Sequence, residues 1–291
     1  MKQSILGFIF IGSGFLLTQL SSSLLAPALP SMAVALNCSN SQIKFLLCMF
    51  LIGYAGGQFL WGPLSDYFKR KSVWLIATGL YCIVCPPIYF LSNIYWLYLF
   101  YALVGFMTAA HTGVGNAIIK DSVPKERLTQ AIAAAGLILS CGPSIGSALG
   151  TALVIHYSWP SIFLALSILA GITFSGSLCF VTNLSSTAAQ NSQSFSSGFK
   201  KILQNRVFIG CAITLSLSFS TLVSYINIMP FIFNHYLNLS TRTAGMLLLV
   251  STSAYILAAL IVMLTIKQTG PLKQIKVGLS LFLLSSLCLL L

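Results

Sequence analysis

The acids and bases of this chain gather in a few short stretches, the densest being Gly62-Pro63-Leu64-Ser65-Asp66-Tyr67-Phe68-Lys69-Arg70-Lys71. It places one carboxylate and three cations between two long apolar segments, and the chemistry such a cluster supports is ion pairing at a helix junction. Only two other acids exist, Asp121 and Glu126, and the three histidines (His111, His156, His235) are far apart in sequence. This set offers no nucleophile with its base and no cluster of metal ligands, so no enzyme, no metal and no cofactor is expected. Cys82-Ile83-Val84-Cys85 has metal-ligand spacing, but it lies in an apolar run without a nearby His, Asp or Glu. Thiols so placed read as small hydrophobes.

The medium that must hold these residues follows from composition. Hydrophobic residues make up 57% of the chain and charged residues 6%, with a mean hydropathy of +0.93, far from a soluble domain. An apolar run of about 18 residues or more spans the hydrocarbon core as a helix, which satisfies its own backbone where water is absent. Such runs lie near 5–27, 43–65, 72–92, 95–118, 129–154, 161–183, 207–232 and 243–266, and a ninth begins near 277. The fold class predicted is therefore an all-α polytopic membrane protein.

Lysine and arginine fix the orientation, because basic loops stay on the cytoplasmic side. With the N-terminus inside, the cytoplasmic connections carry Lys2, then Lys69, Arg70 and Lys71, then Lys120, Lys125 and Arg127, then Lys200, Lys201 and Arg206, then Lys267, Lys273 and Lys276. Only Lys44 and Arg242 fall outside. The net charge of +12 is thus a topology signal, and bases scattered among short loops do not make a nucleic-acid surface. Ala26-Pro27-Ala28 offers the small residues of a signal-peptide cleavage site. The apolar core before it is longer than a usual signal peptide's, and cleavage would leave the helix count at odds with the charge pattern.

The one long connection, 184–206, is rich in Ser and Gln and ends in basic residues. It reads as a cytoplasmic linker between a six-helix bundle over 1–183 and a partial second bundle over 207–291. The second part restarts the first, since a helix pair is again followed by a short basic turn, Lys267 to Lys273. A duplicated six-helix unit is a transporter signature. On this reading three further helices would complete the second half, and without them the central cavity is open to lipid on one side.

Gly62, Leu64, Asp66, Arg70 and Lys71 match the loop motif G-x-L-x-D-R-x-G-R-K of the major facilitator superfamily, which the whole chain resembles. Within it, the likeness is to proton-coupled drug antiporters of the bicyclomycin-resistance (Bcr/CflA) type. Tyr67 replaces the motif's base after the acid, and Lys69 replaces its glycine. A lysine there costs about 1 kcal/mol if the turn requires a positive φ. The resemblance makes this cluster an inward gate. Gly142, Pro143 and Gly146 look like the antiporters' G-P-x-x-G element in the fifth span, and Gly150 continues the small-residue face that permits close packing. Tyr225-Ile-Asn-Ile-Met-Pro230-Phe231 and Trp159-Pro-Ser-Ile-Phe163 resemble further family patterns. In the fourth span Gly105 fits the family's glycine, but Tyr101 stands where an arginine associated with proton coupling is usual.

The resemblance implies that the first, fourth and seventh spans line a cavity. On the first, Gln19 is the best substrate candidate, and on the seventh Tyr225 and Asn227, because their polar ends reach beyond their own backbone. Ser and Thr there can return hydroxyls to their own helix. His111 is the one ionisable group placed well inside the hydrocarbon, a substrate or proton candidate by default. With Gly105, Ala109, Gly113 and Ala117 as a packing stripe, a helical wheel turns His111 towards cavity or lipid; the other reading is a neutral, hydrogen-bonded packing residue. The function implied is proton-coupled efflux of small, largely apolar compounds by alternating access, in a bacterial inner membrane, the partners being substrate, protons and lipid. Its alternatives are a remnant that transports nothing, a fragment completed by self-association, and a metabolite symporter.

Overall fold

The computed structural model describes residues 5–181, 204–232 and 241–290, and these are helical with short connections. The first span is α1 (Ile5–Ser23), a 3₁₀ turn at Ala26–Ala28, and a short α2 (Leu29–Ala35). It is thus broken inside the predicted 5–27 and prolonged beyond it. The 3₁₀ turn and α2 each begin with a proline in the first turn, at Pro27 and Pro30, where a missing N–H costs nothing. The other spans are α3 (Asn40–Tyr67), α4 (Arg70–Val84), α5 (Ile94–Ser122), α6 (Lys125–His156), α7 (Ser161–Phe180), α8 (Arg206–Phe231), α9 (Thr241–Thr269) and α10 (Pro271–Leu290). Six described spans are long and apolar enough to cross a membrane. The expected linker lies mostly in 182–203, outside the described residues.

Local chemistry sets several ends. Ser39 caps α3 by accepting from the Gln42 N–H, while the Gln42 side chain accepts from the Ser39 N–H, a reciprocal box that satisfies two orphan donors. Asn93 accepts from the Tyr95 N–H at the start of α5. Pro86-Pro87 convert the end of the third span into a 3₁₀ turn, Pro86–Phe90, because proline cannot continue the α-helical ladder. Gly270, at φ +74°, terminates α9 in the left-handed conformation that glycine adopts freely, and Pro271 opens α10.

Among the described residues, every buried hydrophobic side chain lies between Ile11 and Val181. The core is therefore that of the first six spans. α5 packs on α3, α4 and α1; α1 also packs on α6 and α7; α4 packs on α7. α9 lies against α6, joining the second part to the first. Large apolar side chains such as Ile52, Phe59, Ile76, Ile83, Ile168 and Ile172 are exposed, as suits helices whose solvent is hydrocarbon.

Candidate functional site: a charged helix end and two glycine seams

The end of the bundle that carries the α3–α4 turn holds the charged cluster. Asp66 sits in the last turn of α3 and Arg70 is the first residue of α4. The Arg70 guanidinium reaches both ways. Its Nε donates to Asp121 Oδ2 at 2.5 Å, and its Nη1 lies 3.4 Å from Asp66 Oδ1. The two carboxylates differ in setting: the Arg70 and Asp121 side chains are 8% and 15% exposed, whereas that of Asp66 is 52% exposed. Arg70–Asp121 is the partly buried, directional pair that ties α4 to the end of α5, and Arg70–Asp66 is a solvated one. Asp121 was not among the site residues expected from sequence; its partner is 51 residues away, and nothing in local spacing shows that two helix ends meet.

The neighbouring cation has a structural task as well. Lys71 Nζ donates to the Leu178 carbonyl at 2.7 Å, near the end of α7, where helix carbonyls lack partners and the dipole favours a positive charge. Lys69 has φ −63° and ψ 126°. The turn therefore asks for no positive φ, and the strain expected for lysine in place of the motif's glycine does not arise. Around Gly62 a Cβ would meet nothing within 4 Å, and Leu64 packs partly buried against the core.

Two helix pairs approach to backbone contact. Along α1–α6, a Cβ on Gly142 would lie 2.2 Å from the Gln19 Cβ, one on Gly146 1.8 Å from Ser23 Oγ, and one on Gly150 2.3 Å from the Leu24 carbonyl oxygen. The glycine face of α6 thus fits α1 along three turns. Gln19 Nε2 donates to the Leu139 carbonyl at 3.0 Å, and Ser23 Oγ, which donates to the Gln19 carbonyl at 2.7 Å, lies 3.3 Å from the Gly142 carbonyl. Along α3–α5, Cβ atoms on Gly53 and Gly105 would lie 1.8 Å and 2.1 Å from the carbonyl oxygens of Ala102 and Phe50. Trp61 Nε1 donates to the Phe106 carbonyl at 2.7 Å, and Gln58 Nε2 to Thr112 Oγ1 at 2.6 Å and the Ala109 carbonyl at 3.3 Å.

His111 is fully buried inside the first bundle, so the wheel's choice between cavity and lipid is replaced by a third: it faces α4. Its Nε2 is 3.0 Å from Thr78 Oγ1, and Trp74 and Tyr81 stand edge-on to its ring. The Thr78 hydroxyl proton goes to the Trp74 carbonyl at 2.8 Å, which leaves the hydroxyl oxygen to accept from His111 Nε2–H and makes Nδ1 the bare lone pair. Nδ1 has no hydrogen-bond partner among the described residues. Tyr101, at the expected arginine position, donates to the Ser21 carbonyl at 2.6 Å. On α8, Thr214 and Thr221 return their hydroxyls to the carbonyls of Gly210 and Leu217. Tyr225 is half-buried, and the side chain of Asn227 lies outside the described residues. The structure thus places Gln19 against α6 and His111 against α4, on different faces of the first bundle.

A cavity of about 430 Å³ opens where α1 and α6 diverge from their seam, between Phe8, Ile11 and Phe15 of α1, Ile119 of α5, and Arg127 and Ala131 of α6. Its walls are apolar, and Arg127 and Gln130 are its polar groups. Sequence reading used Arg127 only as an orientation marker.

The Major Facilitator Superfamily family model matches residues 11–291. The chain belongs to that superfamily, a family of membrane transporters. Among its relatives, "Chloramphenicol resistance protein CraA" of Acinetobacter baumannii is 24% identical over 273 residues, covering 94% of this chain and 66% of that protein. "Multidrug resistance protein MdtM" of Escherichia coli K12 is 24% identical over 215 residues, covering 73% of this chain and 52% of the relative. The "Bicyclomycin resistance protein homolog" of Haemophilus influenzae is 28% identical over 174 residues, 58% of this chain and 43% of that one. The chain thus matches 43–66% of the length of these relatives. Among solved structures, the proton:xylose symporter XylE superposes with a TM-score of 0.73 at 14% identity, over 91% of this chain and 69% of XylE. The human organic anion transporter MFSD10 gives 0.62 at 17% identity, over 91% and 73%. The major facilitator fold predicted from the loop motif is the observed one, and the chain is a multi-pass membrane protein.

Proposed function

We propose that this chain is a secondary active transporter that exports small, largely apolar compounds against an inward proton gradient, in a bacterial inner membrane with its N-terminus in the cytoplasm. The observation that carries the reading is the similarity to relatives named for drug resistance, which for CraA extends over 94% of the chain. The geometry supplies a mechanism for the cytoplasmic gate. Arg70 is anchored by the partly buried Asp121, so α4 and α5 keep their relative position. Asp66, half-exposed and 3.4 Å from Arg70, is the acid free to exchange partners as the two halves rock about the cavity. Tyr225 and Asn227 on α8 remain the substrate candidates of the second half, and the buried His111 is the proton candidate of the first.

The test is transport by the intact chain reconstituted in liposomes. An imposed proton gradient is expected to drive flux of a lipophilic dye, and a protonophore to abolish it. Flux that ignores the gradient, or none from folded protein, rejects the reading.

A further inference from the structure

Pro143 sits inside α6 and has no N–H, so the helix cannot supply the usual donor to the carbonyl four residues before it. That carbonyl belongs to Leu139. In hydrocarbon an unpartnered carbonyl is costly, and here Gln19 Nε2 donates to the Leu139 carbonyl at 3.0 Å. The fit is specific in a second respect. Gln19 reaches this carbonyl across Gly142, where a Cβ would lie 2.2 Å from the Gln19 Cβ and 3.0 Å from its Cγ. Glycine at 142, proline at 143 and glutamine at 19 are therefore one device: glycine admits the side chain, proline frees the acceptor, and the amide fills the vacancy. Ser23, one turn further along α1, donates to the Gln19 carbonyl at 2.7 Å and lies 3.3 Å from the Gly142 carbonyl across the seam.

We infer that Gln19 is a positioning residue that replaces the missing proline N–H, holding the interrupted segment of α6 to α1 so that the two helices move as one body. Its amide is committed to α6 rather than to a bound compound. The inference stands apart from the transport reading, because its test measures the stability of the folded protein and not flux.

The test is a double-mutant cycle on the full chain in detergent micelles, using Gln19→Met, which keeps the length of the side chain and removes the amide, with Pro143→Ala, which restores the N–H. In the natural background Q19M is expected to lower the thermal midpoint by about 2–4 °C. In the P143A background the same change is expected to shift it by less than about 1 °C, because the backbone N–H restored at position 143 then donates to the Leu139 carbonyl. A side chain that merely fills space beside Gly142 would give equal shifts in both backgrounds, and that result overturns the inference, as does no shift in the first. Should Q19M not fold, the yields of folded P143A and of the double variant carry the comparison: equal yields support the inference, and loss of the double variant alone overturns it. Pro143→Ser supplies the same N–H if the alanine variant does not accumulate.

Discussion

The α3–α5 and α1–α6 seams are both lined by glycine, yet they solve different problems. In α3–α5 the glycines face backbone carbonyls directly, and α5 runs without a proline from Ile94 to Ser122. The carbonyls of Phe106 and Ala109 have helical donors already, so the bonds from Trp61 and Gln58 are additional ones. In α1–α6 the Leu139 carbonyl has lost its helical donor to Pro143, and the cross-helix bond is a replacement. The ends differ too. At the end where α4 begins, α3–α5 is closed by Arg70 between Asp66 and Asp121, whereas α1–α6 opens into the cavity beside Arg127. One seam is locked at its end by charge; in the other α6 runs on as a continuous helix that lacks one ladder donor, and a polar side chain of α1 meets the carbonyl that lost it.

The sharpest way to break this contrast is at the charged lock. Asp121→Asn removes the charge partner of a nearly buried guanidinium and is expected to cost about 3 kcal/mol of unfolding free energy. Asp66→Asn, at the solvated side of the same cation, is expected to cost under about 1 kcal/mol while still impairing conformational cycling; denaturation of purified protein in micelles reads the two costs. Equal costs would mean that Arg70 is not held by α5. Next come the glycines. Gly53→Ala and Gly105→Ala press a methyl onto backbone oxygen and are expected to destabilise by about 1–3 kcal/mol or more. Gly146→Ala meets the hydroxyl of Ser23, which can rotate, and its Cβ at 2.8 Å, which cannot, and is expected to destabilise by a similar amount. Gly136→Ala and Gly62→Ala, with nothing within 4 Å, are expected to be neutral or to stabilise by up to about 1 kcal/mol. The smallest effect separates additional from replacement bonds: Gln58→Met is expected to cost roughly 0.5 kcal/mol, less than Gln19→Met in the same assay.

How much of this was legible beforehand depended on whether the information was local. Helix existence was, because an apolar run of spanning length has one backbone solution in lipid, and the Ser39–Gln42 cap and the Gly270-Pro271 stop are written in adjacent residues. The break after Ser23 was only half legible: Pro27 and Pro30 were visible, but a proline in a first turn starts a helix as readily as it ends one. Pairings between helices were not legible. Arg70 had Asp66 four residues away as an obvious partner, and the stronger one, Asp121, came from another helix end. For His111 the wheel gave an angle from the glycine stripe, but no wheel says that α4 brings Trp74 and Thr78 to that angle. The vacancy at Leu139 could have been found from Pro143 alone by counting back four residues; its donor could not.

Efflux, the inward gate and the role of Asp66 all rest on the charged end facing the cytosol. That orientation is tested most directly by labelling intact cells with a membrane-impermeant maleimide, in a cysteine-depleted background carrying Lys69→Cys beside the cluster or Ser92→Cys between α4 and α5. The account predicts that Ser92→Cys is labelled and that Lys69→Cys reacts only after the membrane is permeabilised. Labelling of Lys69→Cys from outside with Ser92→Cys protected would contradict it.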